Sequence, residues 1–307
     1  MTAASLFILN PAAGAGRAAA TWDSFRDDAL RLLPGSTCVR TESPRHAGAL
    51  AHEAVLAGTS RLIAVGGDGT FSEMLEGVMA APLPLRRAAA LACLPAGSGC
   101  DLARHLGYPK GREALLALLA GGRRRLMDVG RIRYRGLDGT QRTRHFVNIA
   151  AFGVAGDVAH HIQRMGKALG GTLSYMLSSA WVLLTARAKG LRLKADGKDL
   201  SGRYHLGVLA NTSSMGGGML IAPGAADDDG LADLVLVGDM SRPRLFSNFP
   251  KLYKGTHIGV AGVSRLLVKT LEADSEEPVY LNIDGEADGM LPASFEILPR
   301  AVTVLVP

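Results

Sequence analysis

Short apolar runs alternate with longer segments of helical periodicity through the first 125 residues. The pattern predicts strands at 5–10 (SLFILN), 37–40, 61–65 (RLIAV) and 89–94. Helices are predicted between them, at 17–33, 46–56, 71–80 and 113–120. Ser43 and Pro44 read as the cap and first turn of the second helix. This βαβα rhythm predicts a doubly wound parallel sheet with ligands at the carboxyl ends of its strands.

After Arg123, Arg124 and Arg125 the pattern changes to short β-like segments at 131–134, 146–149, 191–194, 204–210, 231–237, 266–269 and 279–283. Turn signals such as Asp138-Gly139 and Asp196-Gly197 separate several of them. An antiparallel β domain with one or two helical insertions is expected. The chain therefore divides into an α/β domain at 1–127 and a β domain at 128–291. The last strands, 294–298 and 302–306, fit either, and the stretch 292–307 is expected to return to the first.

Composition narrows the partners. The chain has 307 residues and a net charge of +6, which favours anionic partners such as nucleotides or acidic lipid headgroups. No interleaving of aromatic and basic residues suggests a nucleic-acid groove, so no nucleic acid is expected. Cys38, Cys93 and Cys100 lack CxxC spacing, consistent with a reduced, cytoplasmic setting. The N-terminus lacks a basic leader and a long apolar core, so no signal peptide is expected. Residues 168–186 carry no charge and could just span a bilayer, but Gly170, Gly171, Thr172, Ser174, Ser178, Ser179 and Thr185 make them too polar. A helix beside a cleft is the expectation there. The arginines at 123–125, with Arg131, Arg133 and Arg135, read as a solvated basic face, with membrane docking as the alternative.

The chemistry concentrates in glycine turns. Gly66-Gly67-Asp68-Gly69-Thr70 lies directly between a strand and a helix. Its glycines let the backbone approach phosphates, Thr70 is a candidate cap, and the helix N–H groups point at the anion. Asp68 there calls for a metal ion among the phosphates. A second turn, Pro95-Ala96-Gly97-Ser98-Gly99-Cys100-Asp101, follows the next strand, with Asp101 as an N-terminal acid.

These residues resemble the diacylglycerol kinase catalytic-domain family, in particular the bacterial soluble lipid kinases. The resemblance runs nearly the whole chain. It comprises Asn10-Pro11 with Gly14 and Gly16, the GGDGT hallmark at 66–70, and the turn at 95–101. Phe146-Val147-Asn148 with Gly153, then Asn211, Gly216, Gly217, Gly218, Pro223 and Asp229-Gly230-Leu231, follow in order, and Asp284-Gly285-Glu286 closes the set. The fold it implies is an NAD kinase/phosphofructokinase-like α/β domain followed by an antiparallel β-sandwich.

The resemblance implies an ATP-dependent lipid kinase using Mg²⁺. Asp284 would be the base, with Glu286 nearby and Asp68 as a further catalytic carboxylate. Nucleotide contacts would come from Asn10, Thr41, Gly66, Gly67, Asp68, Gly69, Thr70, Phe71, Ser72, Gly97 and Ser98. A structural Mg²⁺ would sit on Asp229 with the carbonyls of Ala226 and Leu231. Ser98 stands where the family has threonine and keeps the hydroxyl, whereas Cys100 replaces an asparagine and loses an amide donor. The implied partners are a lipid substrate and, transiently, a membrane surface from the cytoplasmic side. A second copy of the chain is a further candidate.

Other readings compete. GGDGT is shared with NAD kinases, so a soluble-substrate kinase is the main rival. A non-enzymatic sensor would be expected to lose Asp68 or Asp284, and both are present. The GxGxxA match at Gly14–Ala19, with Glu42 as its acid, is separated from its strand by Pro11-Ala12-Ala13. No P-loop, GxSxG elbow or HExxH spacing occurs.

Overall fold

The computed structural model describes residues 5–96, 100–165 and 187–307, so the proposed helix at 168–186 lies outside the described residues. The chain forms two units, Met1–Asp128 with Arg300–Pro307, and Val129–Pro299.

Unit 1 is a parallel α/β layer. Its strands are β1 (Ser5–Leu9), β2 (Thr37–Arg40), β3 (Arg61–Gly66) and β4 (Ala90–Pro95). They pair in the order β2-β1-β3-β4, all parallel, and the end of β15 (Gly289–Val306) joins β4 through Thr303 and Val304. The central strands are buried on both faces, as a sheet covered by helices requires, while β2 is an exposed edge. One face packs under α1 (Arg17–Leu32) and α6 (Arg112–Gly121), where Phe7 meets Trp22 at 4.7 Å. Helices α2 (His46–Leu56) and α3 (Asp68–Met79) pack against each other, followed by α4 (Leu83–Ala88) and α5 (Asp101–His105).

Unit 2 is a β-sandwich. Strands β5 (Arg123–Gly136), β6 (Gln141–Phe146), β7 (Ile149–Gly153), β8 (Lys189–Ala195), β9 (Lys198–Asp199) and β10 (Gly202–Ala210) come first. Then β11 (Ala232–Gly238), β12 (Val263–Val268), β13 (Thr270–Asp274) and β14 (Leu281–Ile283) follow. One antiparallel layer runs β12-β11-β10-β7-β14. The other contains β8, β13, β15, β5 and β6. Apolar side chains alternating along both layers make the core, with Phe152 and Phe295 meeting across it. Among the described residues two helices, α7 (Val154–Met165) and α8 (Arg242–Lys254), are inserted.

Four expectations change. Only Arg300–Pro307 of the terminal stretch returns to unit 1, because the earlier part of β15 pairs with β13. The segment at 146–149 is not a strand: β6 ends at Phe146, β7 starts at Ile149, and the intervening N–H groups serve a side chain described below. Ser43 does not cap α2, since Arg45, at φ 67, intervenes as the residue before His46. The arginine run at 123–125 opens β5, and Arg124 donates to the carbonyls of Ser60 and Ala88 while Arg131 pairs with Glu296. Those two guanidiniums are occupied within the protein.

Candidate active site

The glycine corner of unit 1 is built at the carboxyl ends of β1, β3 and β4. Gly67 is the residue before α3 and extended, so α3 begins at Asp68, and Thr70 lies in its first turn rather than capping it. The Thr70 hydroxyl instead accepts from Asn10 Nδ2 at 3.2 Å, and Asn10 Oδ1 accepts from the Ala12 N–H. Asn10 thus ties the first loop to the second. A Cβ at Gly66 would stand 2.3 Å from the Thr70 hydroxyl, and one at Gly14 2.4 Å from the Ala96 carbonyl oxygen. Gly14 also has φ +61. Glycine is therefore required at both positions. At Gly69 the same construction meets open space over the first turn of α3; the Thr70 and Phe71 N–H groups donate back to the Gly67 carbonyl at 3.1 and 3.2 Å, which leaves those of Asp68 and Gly69 without an intrahelical acceptor. This opening suits a phosphate chain.

Asp68 has a role that sequence reasoning did not assign. Its two carboxylate oxygens accept from the N–H groups of Asp101 (2.8 Å) and Leu102 (3.2 Å), holding the start of α5. Burial raises its carboxyl above the usual range, and these two bonds pull the other way. The side chains of Phe71 and Ser72 are buried, and the Phe71 N–H donates to the Gly67 carbonyl at 3.2 Å, so neither side chain faces the opening. Thr41 follows β2, its N–H donating to the Leu9 carbonyl. Gly97 and Ser98 lie outside the described residues.

Cys100 precedes α5 at φ 44, a left-handed conformation that asparagine adopts far more readily than cysteine. Cys100→Asn is accordingly expected to stabilise the protein by about 1 kcal/mol, read as an upward shift in thermal unfolding midpoint.

The second centre lies in unit 2. Asp284 and Gly285, both at positive φ, form a two-residue hairpin turn closed by paired bonds between Ile283 and Glu286. The turn aims the Asp284 carboxylate at the break between β6 and β7. Oδ2 accepts from the Val147 N–H (2.8 Å), and Oδ1 accepts from Asn148 and Ile149 (2.9 Å each). These donors are why 146–149 cannot run as a strand. Burial pushes the carboxyl up to about 6, against the three N–H bonds and Arg144, which lower it. Oδ1 takes two bonds and Oδ2 one, so Oδ2 keeps a lone pair for an incoming proton.

Sequence reasoning missed the support of this centre. Asn211 Nδ2 donates to the Val147 carbonyl, and Thr212 donates to Asn148 Oδ1, all of them buried. Asn148 and Asn211 were the available signal, since two asparagines beside apolar strands need buried partners. Glu286 is half-exposed and pairs with Arg144 at 2.8 Å. Arg144 also lies 3.5 Å from Asp288, which pairs with Arg142 and accepts from the Tyr134 hydroxyl.

Unit 2 also has a pocket with largely apolar walls, including Val154, Val158, Met219, Ile221, Phe249 and Leu252, to which His205, Asn248 and His257 add polar side chains. Helix α7 serves both. Val154 and Val158 line the pocket, Asn282 donates to the Ala155 carbonyl, and Gly156 lies so close to the Tyr280 carbonyl that a Cβ would stand 1.9 Å from it.

Of the implied cation ligands, Asp229 is exposed and its Oδ1 accepts from the Leu231 N–H at 2.9 Å, forming a local turn. Ala226 is also exposed and Asp227 is buried. Among the described residues no three His, Cys, Asp or Glu side chains gather into a metal cluster. A site here would rest on one carboxylate and backbone carbonyls, an oxygen-only set that suits a hard cation.

A parallel α/β unit with a glycine corner and a β-sandwich bearing a buried acid define the fold class shared with a yeast NADH kinase, whose structure in complex with NADH aligns at a TM-score of 0.54 and 10% identity, covering 100% of this chain and 84% of that one. The crystal structure of a Bacillus anthracis str. Sterne protein aligns at 0.80 and 21% identity, over 100% and 95% of the two chains. The diacylglycerol kinase catalytic domain matches residues 4–132, and the YegS C-terminal NAD kinase beta sandwich-like domain matches 148–306. A diacylglycerol kinase of Mycobacterium tuberculosis is 32% identical over 256 residues, 83% of this chain and 79% of the relative. The chain belongs to the diacylglycerol kinase family, and so to the lipid kinases in general.

Proposed function

We propose that this chain transfers the γ-phosphoryl group of ATP to a lipid hydroxyl, with Asp284 as the base. Phosphoryl transfer asks a protein chiefly to position two oxygens and stabilise charge, with a carboxylate to take the hydroxyl proton. Unit 1 supports the nucleotide half, with the open N-terminal turn of α3 at Gly69 and Asn10, Gly66 and Thr70 shaping the corner. Unit 2 supports the acceptor half. The acceptor's O–H donates to Asp284 Oδ2, and the proton passes to that oxygen as the new P–O bond forms and the bond from the γ-phosphorus to the β,γ-bridging oxygen breaks, releasing ADP. A carboxyl near 6 is ionised at neutral pH yet basic enough to share a proton.

The observation that carries the lipid reading is the apolar pocket reached through the same helix, α7, that packs on the strand leading to Asp284. A soluble dinucleotide would need more polar partners than the His205, Asn248 and His257 that these walls carry. Mg²⁺ would be held by Asp229 and the carbonyls of Ala226 and Leu231; bound, it supplies charge that fixes this loop.

The test is transfer of label from γ-labelled ATP to a panel containing diacylglycerol, a sphingoid base, phosphatidylglycerol, a polyprenol and NAD. Label is expected in one of the lipid alcohols. Label in NAD, or in no lipid, contradicts the proposal.

A further inference from the structure

Helix α8 presents two chemistries. Leu245, Asn248, Phe249 and Leu252 line the apolar pocket. Next to them around the helix axis, Phe246 and Tyr253 are 50% and 48% exposed. These two are seven residues apart and so share one side of the helix. The Phe249 and Tyr253 rings meet edge-to-face at 6.1 Å, so the apolar stripe continues from the pocket wall to solvent without a break.

The remainder of α8 is basic. Arg242, Arg244, Lys251 and Lys254 lie on it, and no acidic residue occurs in the helix. Arg244 is anchored by donating to the Ala261 carbonyl at 2.9 Å. Among the described residues, Arg242, Lys251 and Lys254 enter no ion pair. A single exposed ring is ordinary on a protein surface. Two rings on one side of a helix without acids, continuous with an apolar pocket, match the composition of helices that lie in a membrane interface.

We propose that the outer face of α8 docks on an anionic phospholipid surface. Phe246 and Tyr253 enter the boundary between headgroups and acyl chains, while Arg242, Lys251 and Lys254 meet lipid phosphates. Docking in this way brings the pocket wall formed by Leu245 and Phe249 beside the acyl layer, where a lipid alcohol resides. The inference rests on the lipid reading of that pocket and names the surface by which the acceptor is reached.

The test is co-sedimentation with vesicles of phosphatidylcholine, with and without phosphatidylglycerol. The wild type is expected to bind the anionic vesicles and to release them at high salt. The variant Arg242→Gln/Lys251→Gln/Lys254→Gln is expected to lose roughly 100-fold in partitioning, since each surface cation contributes about fivefold. Phe246→Ser/Tyr253→Ser should weaken binding at unchanged charge. Both variants alter exposed positions, and unchanged circular dichroism checks that they fold. Vesicle binding needs no catalysis, so it fails or succeeds separately from the lipid-kinase reading. Equal partitioning of wild type and both variants overturns the proposal. So does a wild-type dimer that the variants convert to monomer, because the face would then cover a second copy.

Discussion

Asp284→Asn is expected to lower kcat by about 10³-fold, within the range usual for loss of a general base, with ATP affinity nearly unchanged. The amide keeps the size of the side chain and can still accept from Asn148 and Ile149, but it turns a donor toward the Val147 N–H and has no oxygen left for a proton. Steady-state rates with ATP titration calorimetry separate the two effects. A parallel effect on stability has a definite sign. The Asp284 carboxyl moves from the ordinary 3.8 to about 6 on folding, so between these values the folded state holds more protons than the unfolded one. Its contribution to stability is therefore greatest below about pH 4 and is lost as pH rises through 6. Two pH units correspond to about 3 kcal/mol. Denaturant unfolding at several pH values should show the wild type losing ground to Asp284→Asn over that interval.

Gly77→Ala is expected to destabilise the protein by about 3 kcal/mol or more, beyond usual overpacking, because the obstacle is backbone. The added Cβ would stand 1.8 Å from the Gly48 carbonyl oxygen and 2.9 Å from its Cα. Gly48 is confined too, though less tightly, at 2.9 Å from the Glu73 carbonyl oxygen. The two glycines let α2 and α3 touch backbone to backbone, and α3 carries the glycine corner at its start. Gly121→Ala, at the end of α6 with open space around it, is the control and should leave stability unchanged or slightly raised. Thermal unfolding of the pair checks both.

The α/β unit was legible because its strands are continuous apolar runs and its helices are amphipathic, so period alone separates them. The β-sandwich was legible as a class from its short alternating strands. What failed was local and has a common cause: partners distant in sequence. The apolar segment Phe146-Val147-Asn148-Ile149 reads as a strand until the Asp284 carboxylate, far along the chain, takes its N–H groups. Asp68 reads only as a metal-facing acid, because the Asp101 and Leu102 N–H groups that it holds lie 33 and 34 residues on. Thr70 reads as a cap because its hydroxyl is adjacent to a helix start, yet the hydroxyl pairs with Asn10. Motif residues were recognisable one by one, whereas the hydrogen bonds that assign their roles were not.

The central claim is that Asp284, made more basic by burial and gripped by three N–H groups, accepts the proton of the lipid hydroxyl. The pH dependence of kcat/KM tests it most directly, since that ratio reports the ionisations of the free enzyme. The account predicts a rise with unit slope that levels off near pH 6, and a weak residual rate without that inflection in Asp284→Asn. A wild-type profile flat from about pH 5 upward, or the same inflection surviving in the variant, would contradict it.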